Sequence, residues 1–186
     1  MSNLRAHPYI TTYTGGRFRY TPPFGPFSVR DVAHSLSLTA RFRGHTEGLY
    51  TVAEHSLLVY RLAERTRAIR DVLVAALMHD AHEAYFGDVP SPMKWARPEV
   101  AELEQGIADA LRAEMCPECD ETDFELVKSL DLTALHAEAL ELFIEPPSWV
   151  DRERAALVPA ELIPRCVPPR QIERSFLDVA RSLGIE

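Results

Sequence analysis

Five side chains able to exchange protons or bind a cation, His79, Asp80, His82, Glu83 and Asp88, are crowded into the stretch HDAHEAYFGD. They follow directly on Val72-Leu73-Val74-Ala75-Ala76-Leu77-Met78, a run without Gly, Pro or charge. Such a run reads as a helix buried nearly all round, although a buried strand has the same pattern. If the helix continues through Tyr85 or Phe86 until Gly87 ends it, Glu83 stands four residues after His79 and three after Asp80, and the three share one face. Ionised carboxylates at a buried helix end cost roughly a few kcal/mol in lost hydration unless a cation or several donors meet them. A divalent ion meets that demand. So does a hydrogen-bonded His-Asp helix terminus with Glu83 exposed, and the dipeptide alone does not choose.

Other elements have to bring partners to this stretch. Ser28 reads as the N-cap of a helix SVRDVAHSLSLTARF, with Asp31 in capping-box position and Val29, Val32, Ala33, Leu36 and Ala40 on its buried face. His34, beside that stripe, is structural. Next, Arg41-Phe42-Arg43-Gly44-His45 gathers two guanidinium groups, an imidazole and a ring at a helix end, a composition able to hold a phosphate while the ring stacks on a base. In the helix YTVAEHSLLVYRLAER, His55 has Thr51, Val52, Leu58 and Val59 as helical neighbours, so its imidazole needs a carbonyl or carboxylate partner. Pro90 and Pro92 predict a stiff loop that carries Lys94 beside the carboxylates. A partly exposed helix is expected from about Pro98 to Glu114. In the helix expected over residues 122–142, Asp131 lies against Val127, Ala134 and Leu135, a core-side carboxylate that also calls for a cation, a metal or donors, while His136 faces elsewhere.

The 186-residue chain is 46% hydrophobic and 26% charged, as an ordinary globular domain is. Its net charge of -8 and pI near 5.4 exclude a broad surface for nucleic-acid polymers or anionic membranes. No long apolar run predicts a membrane span and no signal peptide stands at the start, so the expected location is cytoplasmic. Cys116-Pro117-Glu118-Cys119 with a distant Cys166 lacks the second pair that a structural zinc site needs, and reads as a loop with two reduced thiols. Gly15-Gly16 predicts a small N-terminal hairpin carrying Arg17 and Arg19, followed by an irregular proline-rich lead-in. Residues 145–171, with Pro146, Pro147, Pro159, Pro164, Pro168 and Pro169, read as an ordered strap, and the amphipathic segment RQIERSFLDVARSLG closes the chain at Gly184.

His55, His79, Asp80 and Asp131 together offer two imidazoles and two carboxylates, a first shell for one divalent ion with positions left for water and substrate. In order and context they resemble the HD-domain metal-dependent phosphohydrolases, and within them the small branch of bacterial 5'-deoxynucleotidases and phage HD hydrolases. The matching pieces are Asp31-Val32-Ala33, Arg41 to His45, the AEHS box, the HDAHEAYFGDVPSPMK block and the helix from Lys128 to Glu138. The resemblance implies an all-α HD-domain helical bundle, a single domain over residues 1–186 with its HD core at about 28–142. It implies a divalent metal (Mn, Co, Zn, Fe, Ni or Mg) held by His55, His79, Asp80 and Asp131. It gives Glu83 an acid/base or water-orienting role, Asp88 that of a polarising carboxylate, Arg41 and Lys94 the substrate phosphate, and Phe42 a place against the nucleoside, where that branch carries a tryptophan. It implies a homo-oligomer, a dimer or higher, acting on a small nucleotide with no membrane partner and releasing phosphate from (deoxy)nucleoside 5'-monophosphates. Two other readings stay open: a nucleoside triphosphate or guanosine polyphosphate hydrolase using the same site, favoured if Arg17, Arg19 and Arg43 face the metal; and a helical binding protein with a structural metal, or an iron oxygenase. Glu83 argues against a purely structural metal, which needs no fifth side chain.

Overall fold

A computed structural model gives the fold of residues 9–163 and 165–185; residues 1–8, Pro164 of the strap and Glu186 lie outside the described residues. The architecture grows from one helix start. Thr51 accepts the Glu54 N–H at its hydroxyl while Glu54 accepts the Thr51 N–H at 2.8 Å, a capping box that fixes the first turn of α2 (Val52–Arg65). From Val52 to Tyr60 every residue of α2 is buried, polar ones included. The sequence reading gave it an apolar face; it is the central rod, because α1 (Val29–Leu38), α3 (Arg70–Met78), α7 (Glu121–Leu142) and α9 (Pro169–Ser182) all pack on it. The result is the expected all-α bundle. No helix among the described residues is long and apolar enough to cross a membrane.

The hairpin is present as β1 (Tyr9–Thr11) and β2 (Arg17–Arg19), with Ile10 opposite Phe18. Its connection is longer than a two-residue turn: Thr12 N–H reaches the Gly16 carbonyl at 3.0 Å, and Gly15 bends the chain at φ 87°. Phe18 is fully buried and stacks on Tyr85 at 4.3 Å, with Phe27 5.5 Å from the same ring. The hairpin therefore clamps the short α4 (Glu83–Phe86), and the Ser35 hydroxyl donates to the Ala84 carbonyl at 2.9 Å from α1.

Four local expectations are corrected. First, α1 stops at Leu38, so Ala40 is not part of it, and the Asp31 carboxylate accepts from the Thr14 N–H at 2.7 Å instead of completing a capping box. Second, the helix through Met78 does not run on to Phe86, for a reason that belongs to the site below. Third, residues 91–96 form a helix, α5 (Ser91–Ala96), and not a stiff loop; Pro92 sits in its first turn, where a missing N–H costs nothing. Fourth, His136 does not simply face solvent: its Nδ1 accepts the Asp151 N–H at 3.0 Å.

After α6 (Pro98–Met115) and α7, the strap runs through α8 (Arg152–Ala155) and stays packed, with Ala155 and Val158 buried. Val167 N–H donates to Glu54 Oε1 at 2.9 Å, tying the strap to the first turn of α2. Cys116 is buried, Cys119 half-buried and Cys166 exposed, and no disulfide joins them.

Candidate active site

The His-Asp pair sits where α3 breaks, and its own imidazole marks the break. His79 Nδ1 lies 2.9 Å from the Ala76 carbonyl, the acceptor that Asp80 N–H would use in a continued α-helix. A carbonyl only accepts, so Nδ1 carries the hydrogen and Nε2 keeps a lone pair. The chain proceeds in tight turns, Ala81 N–H to Met78 at 3.0 Å and Glu83 N–H to Asp80 at 2.9 Å, before α4 begins.

His55 from α2 and Asp131 from α7 meet the pair. His55 Nε2 lies 3.1 Å from His79 Nε2, 3.0 Å from Asp131 Oδ1 and 3.5 Å from Asp80 Oδ2. His79 Nε2 lies 3.1 Å from Asp80 Oδ2 and 4.0 Å from Asp131 Oδ1. With both imidazoles neutral these converging atoms are all acceptors, an arrangement that repels itself unless a cation sits among them. Ligands bonded at about 2.1 Å and set at right angles on one ion lie about 3.0 Å apart, so the spacing suits one divalent ion, with His55, His79 and Asp80 close enough together to share it. Without an ion the site draws a proton instead. Burial and Arg41 oppose a charge on His55, yet Glu138 and Asp131 outweigh them and raise its pKa to about 10.

Behind His55 stands Glu138, fully buried on the same helix as Asp131 and seven residues further on. Its Oε1 is 2.6 Å from His55 Nδ1 and accepts the Tyr50 hydroxyl at 3.0 Å; its Oε2 faces Arg41 Nε at 3.2 Å. Sequence reasoning missed both Glu138 and Tyr50. A signal existed, since a seven-residue offset returns to nearly the same helix face as Asp131.

In front of the cluster opens a cavity of about 730 Å³, lined by Asp80 and Asp131 together with Arg41, Phe42, Glu83, Asp88 and Lys94. All nine residues singled out from the sequence therefore converge. Arg41 is buried, with Nη1 3.4 Å from Asp80 Oδ2. It opens the turn Arg41–Gly44, in which Phe42 and Arg43 adopt left-handed backbone at φ 51° and 55°, unusual for side-chain-bearing residues. Glu83 is buried, its Oε2 without a hydrogen-bond partner among the described residues, and burial followed by the charges of Asp80 and Asp88 holds its pKa well above the usual carboxylate range. Burial also pushes Asp88 up. Asp80 goes the other way: burial opposes ionisation, but His79, His55 and Arg41 hold it well below the usual range. Lys94 is on a helix and shared, with Nζ 2.9 and 2.7 Å from the two oxygens of the buried Glu104, whose Oε1 is also 3.5 Å from His82. Glu104 was not anticipated.

The 5'-deoxynucleotidase YfbR-like family matches residues 45–126, a span that contains His55, His79, Asp80, Glu83, Asp88 and Lys94. An uncharacterized protein of Escherichia coli K12, YfdR, is 34% identical over 76% of each chain. An uncharacterized protein of Rhodobacter capsulatus is 44% identical over 37% of each. The 5'-deoxynucleotidase PM0747 of Pasteurella multocida is 28% identical over 47% of this chain and 60% of its own. The chain belongs to the 5'-deoxynucleotidase YfbR-like family and is a metal-dependent nucleotide phosphohydrolase of the HD type.

Proposed function

We propose that the enzyme releases orthophosphate from (deoxy)nucleoside 5'-monophosphates, using a divalent ion held by His55, His79, Asp80 and Asp131. The observation that carries the reading is the convergence of these acceptor atoms, several only 3.0–3.5 Å apart, at the wall of a cavity whose lining cations are Arg41 and Lys94. A bound ion would polarise a phosphoryl oxygen and bring the pKa of a water toward neutrality. Arg41 and Lys94 neutralise non-bridging phosphate oxygens. Lys94 does so in competition with Glu104. Glu83, whose carboxyl is biased toward the protonated form by burial and by the charges of Asp80 and Asp88, donates that proton to the oxygen that leaves with the nucleoside, with Asp88 as the nearby polarising carboxylate. Phe42 lies against the nucleoside.

Two cations suit one phosphate group. Of the arginines that would favour a longer polyphosphate, Arg17 and Arg19 lie on the hairpin outside the cavity lining, which supports the monophosphate over the triphosphate or alarmone alternative, while Arg43 stands at the rim with Nη1 3.5 Å from the Asp88 carbonyl. The name of the Pasteurella relative supports it too. The test is phosphate release from a panel of nucleoside mono-, di- and triphosphates, with EDTA and with manganese, cobalt, zinc or magnesium added back. Metal-dependent orthophosphate from monophosphates alone is expected; tripolyphosphate from triphosphates, or no turnover of any monophosphate, overturns the reading.

A further inference from the structure

The strap supplies the cavity with an aromatic surface that the metal chemistry does not use. Trp149 lines the same cavity as Asp80 and Asp131 and is 51% exposed. An indole left half in water beside buried ionic groups has a free face, and stacking against the face of a nucleobase is what such a surface does best. Its position is fixed from several sides. The Trp149 ring meets the His136 ring at 5.8 Å, Val150 N–H closes a turn on the Pro147 carbonyl at 3.1 Å, and Asp151 N–H donates to His136 Nδ1 at 3.0 Å. Arg154, one turn further on, reaches Thr133 Oγ1 at 3.2 Å. Every one of these anchors on α7 lies within five residues of Asp131, and Leu135, one helical turn from Asp131, lines the cavity between the ionic and aromatic ends of that helix stretch.

Phe42 is less free for this role. The Arg41 guanidinium lies over its ring, 5.4 Å from the centroid, and Phe143 meets it at 79° and 5.1 Å. The other tryptophan of the chain, Trp95, also lines the cavity but is 78% exposed, on the short α5 that has no buried residue and is tied to α6 through the Lys94–Glu104 pair. We propose that Trp149 is the platform on which the nucleobase of the substrate stacks, so that the strap outside the family match confers base recognition while Phe42 lies against the sugar. The proposal rests on the nucleotide phosphohydrolase reading for its choice of ligand.

The two tryptophans of the chain make a direct test possible. In a Trp95→Phe, Glu83→Gln double variant Trp149 is the sole tryptophan and turnover is suppressed. Its emission is titrated, with magnesium present, against dAMP, dTMP, 2-deoxyribose 5-phosphate and inorganic phosphate. Quenching that saturates with the nucleotides and is absent with the two base-free probes is expected. Equal quenching by deoxyribose 5-phosphate overturns the proposal, as does an emission maximum that moves with protein concentration and ignores nucleotides, which would mean that a second copy of the chain covers Trp149. In an otherwise native enzyme, Trp149→Ala should lower kcat/KM for nucleoside monophosphates about 5- to 150-fold, chiefly through KM, with Trp149→Phe largely restoring it. Deoxyribose 5-phosphate hydrolysis should change less than about twofold. Equal losses on both substrates, or none on either, overturn it. If no monophosphate is hydrolysed the functional reading fails, and the titration still decides whether Trp149 receives a base.

Discussion

Gln in place of Glu138 keeps the shape of a fully buried side chain and removes its charge. In the native site one oxygen serves His55 Nδ1 at 2.6 Å and Tyr50 OH at 3.0 Å, and the other faces Arg41 Nε at 3.2 Å. An amide can satisfy only half of this. With its oxygen toward His55, its NH2 confronts the Arg41 N–H, donor against donor; flipped, it leaves His55 without an acceptor. Loss of the partner that fixes a ligating imidazole weakens metal affinity roughly 10- to 100-fold, or about 1.4–2.7 kcal/mol. Breaking a buried ion pair costs roughly 3–5 kcal/mol of fold stability, and the lower end applies because Arg41 keeps Asp80 at 3.4 Å. Calorimetric titration with cobalt or manganese reads the first quantity and urea denaturation the second. Glu138→Asp, which keeps the charge at a shorter reach, should recover part of both. A folded Glu138→Gln protein that binds metal within about twofold of the native affinity would refute the argument that Glu138 orients His55.

Asp80→Asn should abolish phosphate release while leaving the far-ultraviolet circular dichroism of the bundle intact; near-normal turnover would remove Asp80 from the site. For Glu83→Gln the sign follows from a folded pKa raised above the unfolded one. Glu83 contributes its stability below the unfolded pKa and loses it as pH rises through the folded pKa, so above that range the neutral amide should be the more stable protein by roughly 1–3 kcal/mol. Urea melts at acid and alkaline pH check this: the advantage of Glu83→Gln must grow with pH, and a constant or shrinking gap sinks it. The same variant should retain bound metal at background turnover, and loss of metal would make Glu83 a ligand.

His55, His79, Asp80 and Asp131 were legible because they are costly side chains on apolar helical faces, where each needs a partner of opposite sign. Their spacing along the chain also matched a known order. Glu138 was not, since on paper it is one of several acids in a long helix, and its importance comes from Tyr50 and His55 on elements more than eighty residues away. The end of α3 was misjudged for a different reason. Propensity favours continuation through Ala81, Glu83 and Ala84, but the His79 ring takes the Ala76 carbonyl and side-chain competition wins over propensity. Proline counting misled at α5, where position within the first turn matters more than presence. The left-handed turn at Phe42 and Arg43 is held by non-local pairing, Arg41 N–H to the Tyr50 carbonyl at 2.9 Å, which no local pattern reveals.

The bond from Val167 N–H to Glu54 Oε1 spans 113 residues and ends one position before His55. During synthesis, α2 leaves the ribosome with its first turn held only by the reciprocal Thr51–Glu54 box, and the second oxygen of Glu54 waits for a donor made 113 residues later. Closing so long a loop is slow, and its cost is met only once α9 can dock beside α2. A nascent chain interrupted within the strap would thus already possess every side chain proposed to hold the metal, yet lack the final brace on the helix turn that carries His55.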